Sequence, residues 1–213
     1  MLKSILSPIL KNTLRSTLGI DQNTGLLFDT FTNTNGTLIT NHVGESTYNW
    51  VAQSGITITN HAQIFNNRVY PLASNNLYRL NYTMPVADYE VEGIFQVLTN
   101  TGNAGVSARC SSTANTFYLW RYNGGTAWQL FKFVNGTATA LGSPFTISHT
   151  AGEEITAKIV CNGTTIEGWI NGVQQATAVD SSIVNAGSAG FRYGFSETTM
   201  TGLHLNKLTV RNL

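Results

Sequence analysis

Five Asn-Gly pairs, at 35–36, 123–124, 135–136, 162–163 and 171–172, punctuate a chain whose apolar and polar residues largely alternate. Asparagine and glycine both tolerate positive φ, which two-residue hairpin turns demand, so Asn-Gly between alternating segments marks tight hairpins. The spacing predicts two meanders. One joins "TFYLWRY" (116–122), "AWQLFKFV" (127–134) and "ATALG" (138–142). The other joins "EITAKIVC" (154–161), "TTIEGWI" (164–170) and "VQQATAV" (173–179). Further strands are expected at "LLFDTF", "GITIT", "RVYPL", "LYRLNYT", "YEVEGIFQVL", "GVSARCS", "AGFRYGF" and "GLHLNKLTV". Many short strands broken by turn signals predict an all-β fold, an antiparallel two-sheet jelly-roll sandwich, over residues 26–213.

Only one stretch breaks the period-2 pattern. In "SPILKNTLRSTLG" (7–19), Ser7 suits an N-cap, Pro8 the first helical position and Gly19 the residue past a C-terminus. Leu10, Leu14 and Leu18 recur at four-residue spacing and share one helical face. Residues 1–20 are therefore expected to form a short α-helix and residues 21–25 a hinge. A helix this short must dock to persist, on its own β domain, on another protein or on a membrane surface. The apolar run is too short and interrupted to span a bilayer, and it lacks the form of a signal peptide.

With 12 Lys+Arg against 11 Asp+Glu, the formal net charge is +1, which leaves no electrostatic footprint for nucleic acid. Charged residues make up 11% of the chain, well below the usual share of about a quarter, so Asn, Thr, Ser and Gly carry the polarity. Cys110 and Cys161 lie in no metal-binding or redox motif and are expected as two buried thiols, with pairing across strands as the alternative. His42, His61, His149 and His204 show no metal-ligand spacing and are expected in loops and at strand edges.

"LFDTFTNTNGTLITNH", "RVYP", "YEVEGIF", "FYLWRYNGGTAWQLFKFVNGTATALGS" and "GTTIEGWINGVQQATAVDSSIVNAGSAGFRYG" together resemble a laminin-G/concanavalin A-like jelly-roll domain of the kind found in bacteriophage virion proteins. The resemblance implies a non-enzymatic virion component: a head decoration, head fibre or tail-associated protein. Its N-terminal helix would attach to other virion proteins, with a homo-oligomer as a further possibility. The same architecture hosts host-adhesion modules that bind cell-surface glycans, and glycan hydrolases.

A hydrolase would need two carboxyl groups, about 5–5.5 Å apart if retaining and about 6.5–9.5 Å if inverting. Glu90 and Glu92 share one strand face about 7 Å apart, but the next same-face residue, Ile94, is apolar. No catalytic residues are expected, and the pair reads as a solvated strand face. Members of the resembled family often bind calcium, for which Asp29, Asp88 and Asp180 are the available acids. Asn33, Asn35 and Asn206 stand where related sequences carry Asp, which removes charge a calcium site needs. No metal or cofactor is expected, a structural calcium being the alternative. Glycan binding would use exposed rings, and Tyr122, Trp128 and Trp169 are the candidates. Tyr118, Trp120 and Tyr122 share one strand face. In "TTIEGWI", Ile166, Gly168 and Ile170 take the core face, so Trp169 points outward beside Glu167. The alternative for these rings is packing in the core or between subunits.

Overall fold

The computed structural model describes residues 26–213. The predicted helix with Leu10, Leu14 and Leu18, and the hinge at 21–25, lie outside the described residues. Among the described residues there are fifteen strands and one 3-10 turn, Ile39–Asn41. In chain order the strands are β1 (Leu27–Asp29), β2 (Trp50–Ala52), β3 (Gln63–Ile64), β4 (Val69–Tyr70), β5 (Asn76–Leu80), β6 (Tyr89–Val97), β7 (Ala104–Cys110) and β8 (Phe117–Asn123). They continue with β9 (Ala127–Val134), β10 (Thr137–Thr146), β11 (Glu154–Asn162), β12 (Thr165–Ile170), β13 (Val173–Val179), β14 (Ser188–Tyr193) and β15 (Leu203–Asn212). An eight-stranded sheet runs β13-β12-β11-β6-β15-β4-β3, with β1 also paired to β15. A seven-stranded sheet runs β10-β9-β8-β7-β14-β5-β2. Every pairing is antiparallel, and the two sheets form a sandwich.

Four of the five Asn-Gly pairs close hairpins. Asn135-Gly136 and Asn171-Gly172 take positive φ at both residues, the twist that matches right-handed strands. Gly163 and Thr164 span the β11–β12 turn, and Gly124 to Thr126 span β8–β9. Asn35-Gly36 instead lies in the long loop after β1, where the Gly36 N–H reaches the Ile64 carbonyl at 2.8 Å. "GITIT" (55–59) is not a strand. Gly55, at φ +77, turns the chain, and Ile56 packs on the outside of the seven-stranded sheet. The short strands β2 and β3 were not expected. Both lean on burial rather than pattern: Trp50 and Ile64 are fully buried.

Between the sheets lies one large core. Strict alternation on β6 and β12 puts Val91, Phe95, Ile166 and Ile170 inside. Trp120 packs over Gly168, where an added Cβ would sit 2.6 Å from the indole, so the glycine makes room for the ring. Cys110 and Cys161 are free, buried thiols, both pushed up to about 12 by burial.

The seven-stranded sheet curls toward its outer side. Arg192 on β14 reaches across this outer face to within 5.3 Å of the Phe133 ring on β9, three strands away. Gly105 and Gly190 permit the curl. A Cβ on either would lie 2.2 or 2.3 Å from a carbonyl oxygen of the neighbouring strand. The curl brings the turn after β2 against loop 111–116. Gln53 donates to the carbonyls of Ser111 and Ala114 at 2.8 and 2.7 Å, and the Ser54 hydroxyl donates to that of Ser112 at 2.6 Å. A second apolar cluster, Leu77, Cys110, Phe117, Leu119 and Phe133, fills the space beneath.

The outermost strands differ in kind. β2 and β3 have three and two residues. β10 and β13 are longer and mostly solvent-facing, and each carries a register shift, β10 beside Pro144.

Candidate functional site

Of the three predicted binding rings, two are spent inside the fold. Tyr122 and Trp128 are fully buried. The Trp128 Nε1–H donates to His149 Nε2 at 2.9 Å, and the Tyr122 hydroxyl donates to Asn100 Oδ1 at 2.5 Å. Their face of β8 and β9, shared with Tyr118 and Trp120, is the inner one, so neither ring can stack on a ligand. Three of the four histidines also depart from expectation: His42, His149 and His204 are buried. Each is retained by polar partners. His42 donates to Asp29 Oδ1 at 2.9 Å, and His149 lies 3.3 Å from Glu153. His204 Nε2 faces the carbonyls of Thr198 and Thr201 at 3.0 and 3.1 Å.

Trp169 is outward and part-exposed, as the alternation on β12 predicts. It sits on the outer face of the eight-stranded sheet, in a row set by register: Thr209 (β15), Glu92 (β6), Lys158 (β11), Trp169 (β12) and Gln174 (β13). In the adjacent row stand Arg211, Glu90, Val160, Glu167 and Thr177. The Trp169 Nε1–H donates to Glu167 at 2.9 Å, which fixes the ring, and Lys158 Nζ lies 5.0 Å from its centroid. Glu90 accepts from Lys158 and Arg211, both at 2.9 Å. Burial alone would raise the Glu90 carboxyl, but the bonds and charges of Lys158 and Arg211 outweigh it and hold it below the ordinary range. Glu92 lies 3.5 Å from Arg211.

The expected acids for calcium are all occupied by protein groups. Asp29 accepts from the Trp50 Nε1–H, the His42 ring and the Phe31 N–H. Asp88 accepts from Arg109 and the Gly163 N–H, and Asp180 from Lys132, Tyr118 and the Ser182 N–H. Among the described residues no group of three or more His, Cys, Asp or Glu could hold a metal ion, and no helix is long and apolar enough to cross a membrane.

Sequence reading missed two features. A groove of about 430 Å³ lies at one end of the sandwich, its polar lining from Thr83, Ser111, Thr113, Ser182 and Asn185 matched by apolar surface such as Ile183 and Val184. Composition hints at such surfaces but cannot place them. Arginines 79, 121 and 192 also share the outer face of the seven-stranded sheet, although no local motif joins them.

No family model and no curated protein matches the chain. Solved structures do share its fold. A carbohydrate-binding module from Bacillus subtilis superposes with a TM-score of 0.52 at 14% identity, covering 76% of this chain and 91% of its own. A glycosidic hydrolase gives a TM-score of 0.57 at 11% identity, covering 87% of this chain and 94% of its own. A protein of unknown function from Shewanella oneidensis gives 0.56 at 9% identity, covering 100% of this chain and 96% of its own.

Proposed function

We propose that this domain is a non-catalytic glycan-binding module whose contact surface is the outer face of the eight-stranded sheet around Trp169. The carrying observation is the part-exposed Trp169 ring, held by Glu167 and flanked in register by Lys158, Glu92 and Gln174. A ring of this kind offers an apolar face for sugar C–H groups, and the polar tips around it can take the hydroxyls. Carbohydrate-binding and glycan-hydrolysing proteins among the structural neighbours agree with this reading. The ion-paired state of Glu90 removes it as the proton-donating acid of a hydrolase. A glycosidase acid must keep its proton near neutrality, and a carboxyl held below the ordinary range has lost it.

Trp169→Ala is expected to weaken glycan binding at least tenfold, about 1.4 kcal/mol, while the melting temperature moves by about 2 °C or less. A glycan array followed by calorimetry on the best binder tests this. If the variant binds as the parent does and Thr113→Arg in the end groove abolishes binding, the platform is elsewhere. Glu90→Gln with Glu92→Gln is expected to leave all glycans uncleaved, as in the parent. Cleavage by the parent that vanishes in this pair would overturn the non-catalytic reading.

A second reading rests on the leucine spacing at 10, 14 and 18 and on the resemblance to phage virion domains. Here residues 1–20 attach the domain to a particle that displays it. Leu14→Asp should then abolish co-sedimentation with the particle while leaving the melt of the isolated protein unchanged.

A further inference from the structure

Three arginines share the outer face of the curled seven-stranded sheet. Arg192 on β14 and Arg121 on β8 both stand opposite Gly105 on β7, which puts no side chain between them. Arg79 on β5 stands opposite Gly190 on β14. Gly105 and Gly190 let the neighbouring strands close in, since a Cβ on either would meet a carbonyl oxygen at 2.2 or 2.3 Å; the curl makes this face concave, and that concavity is the trough.

Nothing acidic answers these charges. Among the described residues, the ion pairs involve Arg109, Lys132, Lys158, Arg211 and two histidines, never Arg79, Arg121 or Arg192. Nε of Arg79, Nε of Arg121 and Nη1 of Arg192 are each buried without a protein acceptor. Buried guanidinium N–H groups are costly to leave unmet. The side chains are nonetheless braced. Arg121 lies 4.4 Å over the Phe131 ring and Arg192 lies 5.3 Å from that of Phe133. Arg192 donates to Asn75 at 3.0 Å and Arg79 to the Leu80 carbonyl at 3.2 Å. Burial first, and then the Arg121 charge, pushes Arg192 down to about 10, so the two guanidiniums feel each other.

A chain with a net charge of only +1 thus gathers three uncompensated, pre-oriented cations in one half-covered trough. Planar guanidinium forks match carboxylate and sulfate oxygens in pairs. Three guanidiniums on three strands, β5, β14 and β8, offer more forks than one small anion can fill. We propose that this trough is a binding site for an acidic polysaccharide, whose carboxylate or sulfate groups engage Arg79, Arg121 and Arg192. The site is on the opposite sheet from Trp169, and its failure would leave the reading of that face untouched.

Binding of the full chain to dextran sulfate, polygalacturonate and uncharged dextran tests it, with inorganic sulfate as competitor. The charged polymers are expected to bind and uncharged dextran not, with affinity falling as salt rises. Arg121→Gln with Arg192→Gln should cut charged-polymer binding by at least tenfold, while Lys207→Gln on the opposite sheet leaves it intact. The double variant should melt no lower than the parent, because it removes repulsion between two unmet charges. Equal binding of charged and uncharged dextran, undiminished binding by the double variant, or equally tight binding of a DNA oligonucleotide would overturn the proposal. So would full competition by millimolar sulfate, which would mark a small-anion site. Should the double variant melt far below the parent, the arginines are structural props and the proposal falls. Arg121→Lys with Arg192→Lys should keep less affinity than the parent but more than the glutamine pair, because charge and fork both count.

Discussion

Arg109→Met is expected to cost the fold about 2–4 kcal/mol and to lower the melting temperature by about 8 °C. Arg109 closes β7 at φ +52 and is 1% exposed. Its Nε donates to the Ala87 carbonyl at 3.0 Å, Nη1 to Ile183 at 2.8 Å and Nη2 to Gly163 at 2.9 Å. A part-exposed Asp88 stands 3.3 Å from Nη2. One side chain therefore ties a strand of the seven-stranded sheet to the β11–β12 turn of the other sheet and to the loop before β14. Methionine fills much of the volume but strands the buried Ile183 carbonyl and cuts the ties to the part-exposed Ala87 and exposed Gly163 carbonyls. Arg109→Lys keeps the charge yet cannot serve three directions from one plane, so its loss should be intermediate. Thermal and urea melts of both variants decide the matter; a shift under 2 °C for the methionine variant would show the clamp to be dispensable.

Stability is also expected to form a plateau between about pH 4.5 and 6.5 and to fall on the alkaline side. Glu197 is pushed up to about 8 by burial, which the backbone N–H groups of Leu203 and Asn103 only partly offset. Gly102 and Gly202 wall its carboxyl so closely that a Cβ on either would collide with it. His204 is pushed down to about 4, by burial first, with the Arg68 charge adding to the effect. A carboxyl with a raised folded value stabilises the fold fully below 4.5 and loses that contribution as pH rises to about 8. A histidine with a depressed folded value contributes above 6.5 and loses that as pH falls to about 4. Between 4.5 and 6.5 the two slopes cancel. From 6.5 to 8 the Glu197 slope stands alone and removes about 2 kcal/mol. Glu197→Gln should abolish the alkaline decline and melt several degrees above the parent at pH 8.5. A parent whose melting temperature is the same at pH 6 and pH 8.5 would contradict the burial of an ionisable carboxyl here.

Hairpin chemistry made most of the sandwich legible, because Asn135-Gly136 and Asn171-Gly172 dictate a turn whatever surrounds them. Alternation then put Trp169 outside, since its strand has small or aliphatic residues on one face only. The same rule failed to orient β8. There Phe117 and Leu119 alternate with Tyr118 and Trp120, so both faces are apolar, and both are buried, one in the main core and one in the cluster under the curl. Tyr122 and Trp128 look like binding rings in the sequence for the same reason: residue type names an amphipathic ring, but not the partner that satisfies its polar tip. The arginine trough had no signal at all in the chain. Arg79, Arg121 and Arg192 are far apart in sequence, and only strand order makes them neighbours.

The unlike outer strands bear on life at high local concentration. An unpaired strand edge is a template on which a second chain can add. In this fold two of the edges, β2 and β3, are too short to template anything, and the longer pair are interrupted: β10 by a slip in register beside Pro144, β13 by a slip opposite Gly168 and Trp169. Copies packed side by side at high concentration can therefore crowd together without growing into fibres.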